Sequence, residues 1–115
     1  MANNEIFHSG VRSRGDLAGV FEYDGETGYF YLYDTGKQRG HKILDAIHVI
    51  SGELDFTDAD VVIRWDRPEQ KVGLFIRGKL WAAFDGRHRL KYGGNYRFGA
   101  QPNLPPEETQ NFALE

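Results

Sequence analysis

Along most of this chain of 115 residues, apolar and polar positions alternate. Alternation at period two marks pleated strands with one covered and one open side. The clearest case is "LAGVFEYD" (17–24) and "GYFYLYD" (28–34), which flank "DGET" and read as a β-hairpin with Asp-Gly in its loop. If Asp24 to Gly28 form a five-residue loop, Tyr23 faces Tyr29 and Phe21 faces Tyr31. Such cross-strand ring pairs contribute ~0.2–1 kcal/mol each. A two-residue Asp-Gly loop shifts the register and breaks these pairs. In "HKILDAIHVIS" (41–51), Ile43, Ile47 and Ile50 fit a helical stripe. The β-branched content and the early Gly52 favour a strand instead, and a strand is the expectation over 42–50.

Further along, "DVVIRWD" (60–66) reads as a strand ended by "RPEQ", where Pro68 fixes the chain direction. "KVGLFIR" (71–77) and "KLWAAFD" (79–85) form a second hairpin turning at Arg77-Gly78. A two-residue loop places Leu74 opposite Trp81, Val72 opposite Ala83, and Phe75 opposite Leu80 on the other side. Both sides of this hairpin are apolar, so it is expected to be central and covered twice. "EIFHSGV" (5–11) is a first strand, "NYRFG" (95–99) a last edge strand, and "NLPPEETQNF" (103–112) a Pro-started helical turn. The expectation is a single, mainly β domain over 1–115: seven or eight antiparallel strands, sandwich-like or a partly closed barrel, with little helix and an irregular or short helical tail over 100–115.

In "TGYFYLYD" (27–34), alternation puts Phe30 and Leu32 on one side and Tyr29, Tyr31 and Tyr33 on the other. Phe and Leu have no polar group, so their side meets the core. Tyrosine joins an apolar ring to a wet hydroxyl and suits a surface only partly covered. Tyr23, Tyr29, Tyr31 and Tyr33 are the candidate contact face. Three coverings are open: the chain's own loops and tail, a second subunit or protein partner, or a sugar or base stacked on an open platform.

Composition narrows the classes of function. Aromatics reach 14%, and the 14 glycines fit many turns between short strands. The absence of cysteine excludes a disulfide framework and thiolate chemistry. No apolar run approaches the ~20 residues of a membrane span, and "MANNEIFHSG" lacks a signal-peptide pattern, so a cytoplasmic location without membrane attachment is expected. The net charge of −3 weighs against nucleic acid, although "RGKLWAAFDGRHRLKYGGNYRFG" interleaves basic and aromatic residues. Charge is unevenly spread. Asp45, Glu53, Asp55, Asp58 and Asp60 stand in a stretch without Lys or Arg, while Arg77, Lys79, Arg87, Arg89, Lys91 and Arg97 face Asp85 alone. These segments could meet across a two-fold axis or within one subunit.

Candidate chemistry is sparse. Ser9, Ser13 and Ser51 lie in no nucleophile elbow. His8, His41, His48 and His88 show neither HxxxH nor HExxH spacing, so no metal site, cofactor or catalytic residue is nominated. "DFTDAD" (55–60) fails as a calcium loop, since counting from Asp58 puts Ile63 where glycine is required; it reads as an acidic turn before the next strand. Carboxylates at hairpin ends are ordinary turn formers. If a small-ligand or enzymatic site exists, Asp24, Glu26 or Asp66 would serve it beside the tyrosines.

"VFEYDGETGYFYLYD", "ILDAIHVIS" and "IRWDRPEQKVGLFIRGKLWAAFD" together resemble a family of small bacterial proteins known only as a domain of unknown function. The resemblance covers about residues 18–97, with "GETGYFY" its most specific piece. It departs at Arg77-Gly78, where the family often has Asn-Gly, and at "NYRFG", which does not clearly match the family's C-terminal motif. The resemblance implies no activity, cofactor or site residue. The leading expectation is a non-enzymatic module that binds a protein partner or itself as a homodimer, in the manner of a small immunity-type protein; the alternative is a small-ligand-binding protein or enzyme.

Overall fold

The computed structural model describes residues 5–36, 42–97, 99–102, 104–105 and 112. Among these residues, eight antiparallel strands form two four-stranded meanders. The first sheet holds β1 (Ile6–Val11), β2 (Leu17–Tyr23), β3 (Thr27–Asp34) and β4 (Ile43–Ser51), in that order. The second holds β5 (Val61–Trp65), β6 (Lys71–Ile76), β7 (Lys79–Asp85) and β8 (Leu90–Gly93). The only helix among the described residues is one 3-10 turn at Asp58–Asp60, inside the acidic stretch before β5. Ile43–Ser51 is thus a strand, and the architecture is a sandwich and not a closed barrel.

The sheets stack through their apolar sides. Phe21, Phe30 and Leu32 from the first meet Val72, Leu74 and Phe84 from the second, and the Phe30 and Phe84 rings sit 5.2 Å apart. Gly19 allows this approach: a Cβ there would lie 2.6 Å from the Val72 methyl and 3.1 Å from the Phe30 ring. Hydrogen bonds join both flanks. On one, the Trp65 indole N–H donates to the Gly10 carbonyl at 2.8 Å, and the Arg12 guanidinium donates to the Glu69 carbonyl at 2.9 Å. On the other, the chain leaves β8 and crosses to the first sheet. There the Asn95 and Tyr96 amides donate to the His48 and Val49 carbonyls at 3.1 and 2.6 Å. Gly94 makes the crossing with φ of 105° and with the His48 carbonyl 2.6 Å from where a Cβ would stand. Residues 95–97 are therefore a hydrogen-bonded strap on β4 and not the edge strand expected at "NYRFG"; the edge strand is β8.

Two registers differ from expectation. In the first hairpin Tyr23 pairs with Gly28 and Phe21 with Phe30, which matches neither the five-residue nor the two-residue loop. The cause is Asp24, whose carboxylate accepts the amides of Glu26 and Thr27 at 2.9 and 2.8 Å. This Asx-type turn sets Asp24, Gly25, Glu26 and Thr27 between the paired Tyr23 and Gly28, with Thr27 already paired to Ser51 of β4. In the second hairpin the two-residue turn holds, with Arg77 and Gly78 at φ of 52° and 81°, the signs of a type I′ turn. Phe75 does pair with Leu80, but a bulge then sets Leu74 opposite Ala82 and Val72 opposite Phe84. The bulge turns Trp81 and Ala82 both toward the core.

The second hairpin is covered twice, and the second cover comes from the chain itself. On the outer side of the second sheet, Leu80 and Ala83 form a separate cluster with Phe112, joined by Phe75, Tyr92 and Leu104. The Phe112 ring meets Phe75 edge-on at 5.5 Å. The helical turn expected over 103–112 lies otherwise outside the described residues.

Candidate partner-binding face

The ladder pairings lay out the outer side of the first sheet as a grid. Its top row runs Phe7, Glu22, Tyr29, His48; its middle row Ser9, Val20, Tyr31, Ala46; its bottom row Val11, Ala18, Tyr33, Ile43. Paired residues share a side of the sheet, so Tyr29, Tyr31 and Tyr33 are brought together on one surface. Tyr29 and Tyr31 stack at 5.9 Å, and His48 meets Tyr29 edge-on at 5.4 Å. The His48 ring is held by Ser51 at 2.8 Å.

Tyr23 does not belong to this surface. It lies on the inner side with Leu17, Gly19 and Phe21 and is 2% exposed. Its hydroxyl donates to the Gly52 carbonyl at 2.6 Å, and burial pushes its pKa above the usual phenol value. The error arose from pairing Tyr23 with Tyr29. Glu22 carries the signal that corrects it, because a carboxylate in mid-strand marks the outer side and turns its neighbours Phe21 and Tyr23 inward.

The structure adds three large exposed apolar residues that the sequence did not nominate. Phe7, Val11 and Ile43 are 64%, 54% and 47% exposed, while Val20, with Ala18, forms a floor. Together with Tyr31 and Tyr33 they border a groove of ≈ 300 Å³. Its relief follows from exposure: Phe7 and Val11 on β1 stand clear of the buried Ala18 and Val20 on β2. The pKa of Tyr31 is raised, first by burial and then by the nearby Glu22 charge.

The candidate carboxylates are not assembled with the tyrosines. Asp24 and Glu26 lie in the loop after Tyr23, and the turn amides hold the Asp24 carboxyl below its usual range. Asp66 lies in the β5–β6 loop at the opposite end of the sandwich, where Arg12 reaches Glu69 of the same loop. It is buried, and its carboxylate accepts the Gln70 and Lys71 amides at 2.9 and 3.0 Å. Asp24 and Asp66 thus fasten turns. Among the described residues no group of three His, Asp or Glu side chains comes together as a metal site, and no helix is long and apolar enough to cross a membrane.

The acidic and basic segments meet within one subunit. Arg77 lies 3.6 Å from Asp55 and 3.7 Å from Asp60, and the Lys91 ammonium lies 3.1 Å from Asp45. Asp55 also accepts the Tyr96 hydroxyl at 2.9 Å. That bond follows burial as the second cause that pushes the phenol to about 12.

These features define a small antiparallel β-sandwich whose second sheet carries Leu104 and Phe112 on its outer side and whose first sheet bears an open aromatic groove. The chain belongs to the DUF2251 family, described as an uncharacterized protein conserved in bacteria, whose sequence model matches residues 1–110. It is 35% identical to an uncharacterized protein of Haemophilus influenzae over 69% of this chain and 50% of that protein. The matched chain therefore spans about half the length of that curated relative. No solved structure matches it.

Proposed function

We propose that this protein acts by binding another protein through the outer side of its first sheet, with Tyr29, Tyr31 and Tyr33 at the centre of the contact. One observation carries the reading: the large exposed apolar residues Phe7, Val11 and Ile43 are contiguous with the tyrosines around one groove, and contiguous apolar surface on a small protein marks an interaction site. The placement of Asp24 and Asp66 in turn hydrogen bonds supports docking over carboxylate chemistry. A homodimer would use the same surface, since the charged segments and the second hairpin already find their counterparts inside one subunit. A cytoplasmic location and an immunity-type role go with this reading.

Site-specific photo-crosslinking in the host bacterium tests it. A crosslinking residue at position 31 is expected to give a discrete adduct with one protein, and the same residue at Arg64, on the outer side of the second sheet, is not. An adduct with a second copy of the chain identifies a homodimer. Failure to obtain any adduct from positions 7, 31 and 43 overturns the reading.

A further inference from the structure

Three loops meet at one end of the sandwich: residues 12–16 after β1, 66–70 after β5 and 86–89 after β7. Together they carry five of the chain's nine arginines and none of its lysines. Arg12, Arg14 and Arg87 border one cavity of ≈ 380 Å³ with Pro68, Glu69 and Gln70. None of these residues borders the groove on the first sheet, so the cavity is a place separate from the docking surface.

The loops are fastened to one another before anything binds. Asp66 and Asp85 are buried, and each carboxylate accepts two backbone amides a few residues further on. The Gly86 amide donates to the Gln70 carbonyl at 2.7 Å, which joins the second loop to the third. The Glu69 carboxylate accepts the Ser13 amide and hydroxyl, each at 2.9 Å, which joins the second loop to the first. Arg12 is committed to this frame through Asp16 and the Glu69 carbonyl. Arg14 and Arg87 are not. Both are exposed, and among the described residues neither guanidinium has an ion-pair or hydrogen-bond partner.

Two unpaired guanidiniums on one cavity, in a chain of net charge −3, favour an anion there. A carboxylate has two oxygens and fills one guanidinium fork. A phosphate monoester has three terminal oxygens and close to two charges at neutral pH, enough for both forks. The volume falls within the ~300–1,000 Å³ of small-molecule sites and leaves room for a body beyond the phosphate. Among the described residues no aromatic ring lines the cavity, so a nucleobase would find no stacking partner. Ser13 occupies one lone pair on each oxygen of Glu69, leaving one on each to accept from a hydroxyl. The Gln70 side-chain amide adds donors and an acceptor.

We propose that this cavity binds a small phosphate monoester with a hydroxylated body, such as a sugar phosphate. Arg14 and Arg87 hold the phosphate, while Glu69 and Gln70 take the hydroxyls. The Glu69 charge repels the phosphate and so fixes which end of the ester points to the arginines.

An NMR titration of amide chemical shifts with glucose 6-phosphate tests the inference. The Arg14, Gln70 and Arg87 signals are expected to move saturably. Binding is expected to be at least tenfold tighter than that of glucuronate, which carries a carboxylate in place of the phosphate, or of inorganic phosphate, which lacks the hydroxyls. Arg14→Ala and Arg87→Ala are each expected to weaken it about tenfold or more, with melting unchanged because both side chains are exposed. Arg67 is exposed in the same loops but does not border the cavity, so Arg67→Ala is expected to leave the affinity within about a factor of two. Equal weakening by Arg67→Ala reduces the site to diffuse charge and overturns it, as does the absence of saturable shifts. Equal binding of glucuronate overturns the phosphate, and equal binding of inorganic phosphate overturns the hydroxylated body. Tighter binding of adenosine monophosphate overturns the exclusion of a base, and tighter binding of a phosphoserine peptide overturns the small-molecule ligand. The crosslinking from positions 7, 31 and 43 is read separately from all of these.

Discussion

Replacing each tyrosine of the first hairpin in turn separates the inner from the outer side of the sheet. Tyr23 is 2% exposed and packs in the main core with Phe21 and Phe56, so Tyr23→Ala removes a whole buried ring. Buried aromatic-to-alanine changes cost about 3–5 kcal/mol, a large share of the 5–15 kcal/mol of a typical domain. Tyr23→Phe isolates the hydroxyl. It loses the bond to the Gly52 carbonyl, a net of about 1 kcal/mol, and Gly52 is exposed, so water can take over the vacated carbonyl and keep the loss near that figure. Tyr29→Ala loses only stacking on a half-open surface, about 0.2–1 kcal/mol. Urea unfolding at constant m-value reads all three directly. The ordering Tyr23→Ala, then Tyr23→Phe, then Tyr29→Ala is required. A Tyr29→Ala loss equal to or above that of Tyr23→Ala would refute both the register and the assignment of an outer contact surface.

Two further outcomes test the frame. Gly19→Ala drives a methyl to 2.6 Å from Val72; overpacking of this kind costs about 1–3 kcal/mol, and Val72→Ala in the same chain should recover part of the loss, a coupling visible in a double-mutant cycle. Arg12 grips Asp16 through two contacts of 2.7 and 2.8 Å, which lowers the Asp16 carboxyl from its ordinary 3.8 to about 2. A folded-state pKa below the unfolded one stabilises above the unfolded value and fades as pH falls through the folded one. Melting temperature should therefore drop between about pH 4 and 2, modestly because the carboxylate is half-exposed, and Asp16→Asn should flatten that limb; an unchanged limb in the variant would assign it to other groups.

Strand identity was largely legible because it depends on nearest neighbours. "TGYFYLYD" puts Phe30 and Leu32 inside wherever its partner strand lies, and the structure keeps them there. Arg77-Gly78 likewise forms its two-residue turn. Register was less legible, since a side-chain hydrogen bond or one extra residue resets it. The Asp24 turn moved Tyr23 away from Tyr29, and the bulge at Trp81 broke the strict alternation of β7. The contact surface was half visible. Three tyrosines could be named from one strand, but Phe7, Val11 and Ile43 joined them only through pairings between strands distant in sequence.

The sequence by itself determined an all-β chain and the inward side of each well-patterned strand, because a side chain's tendency to leave water is carried by the residue and its immediate neighbours. The tertiary structure decided that Tyr23 is core, that Phe112 packs on the outer side of the second sheet and that the acidic and basic segments pair within one subunit. Those outcomes turn on which distant segments share a surface once the chain has closed, a matter of packing geometry that local periodicity does not contain.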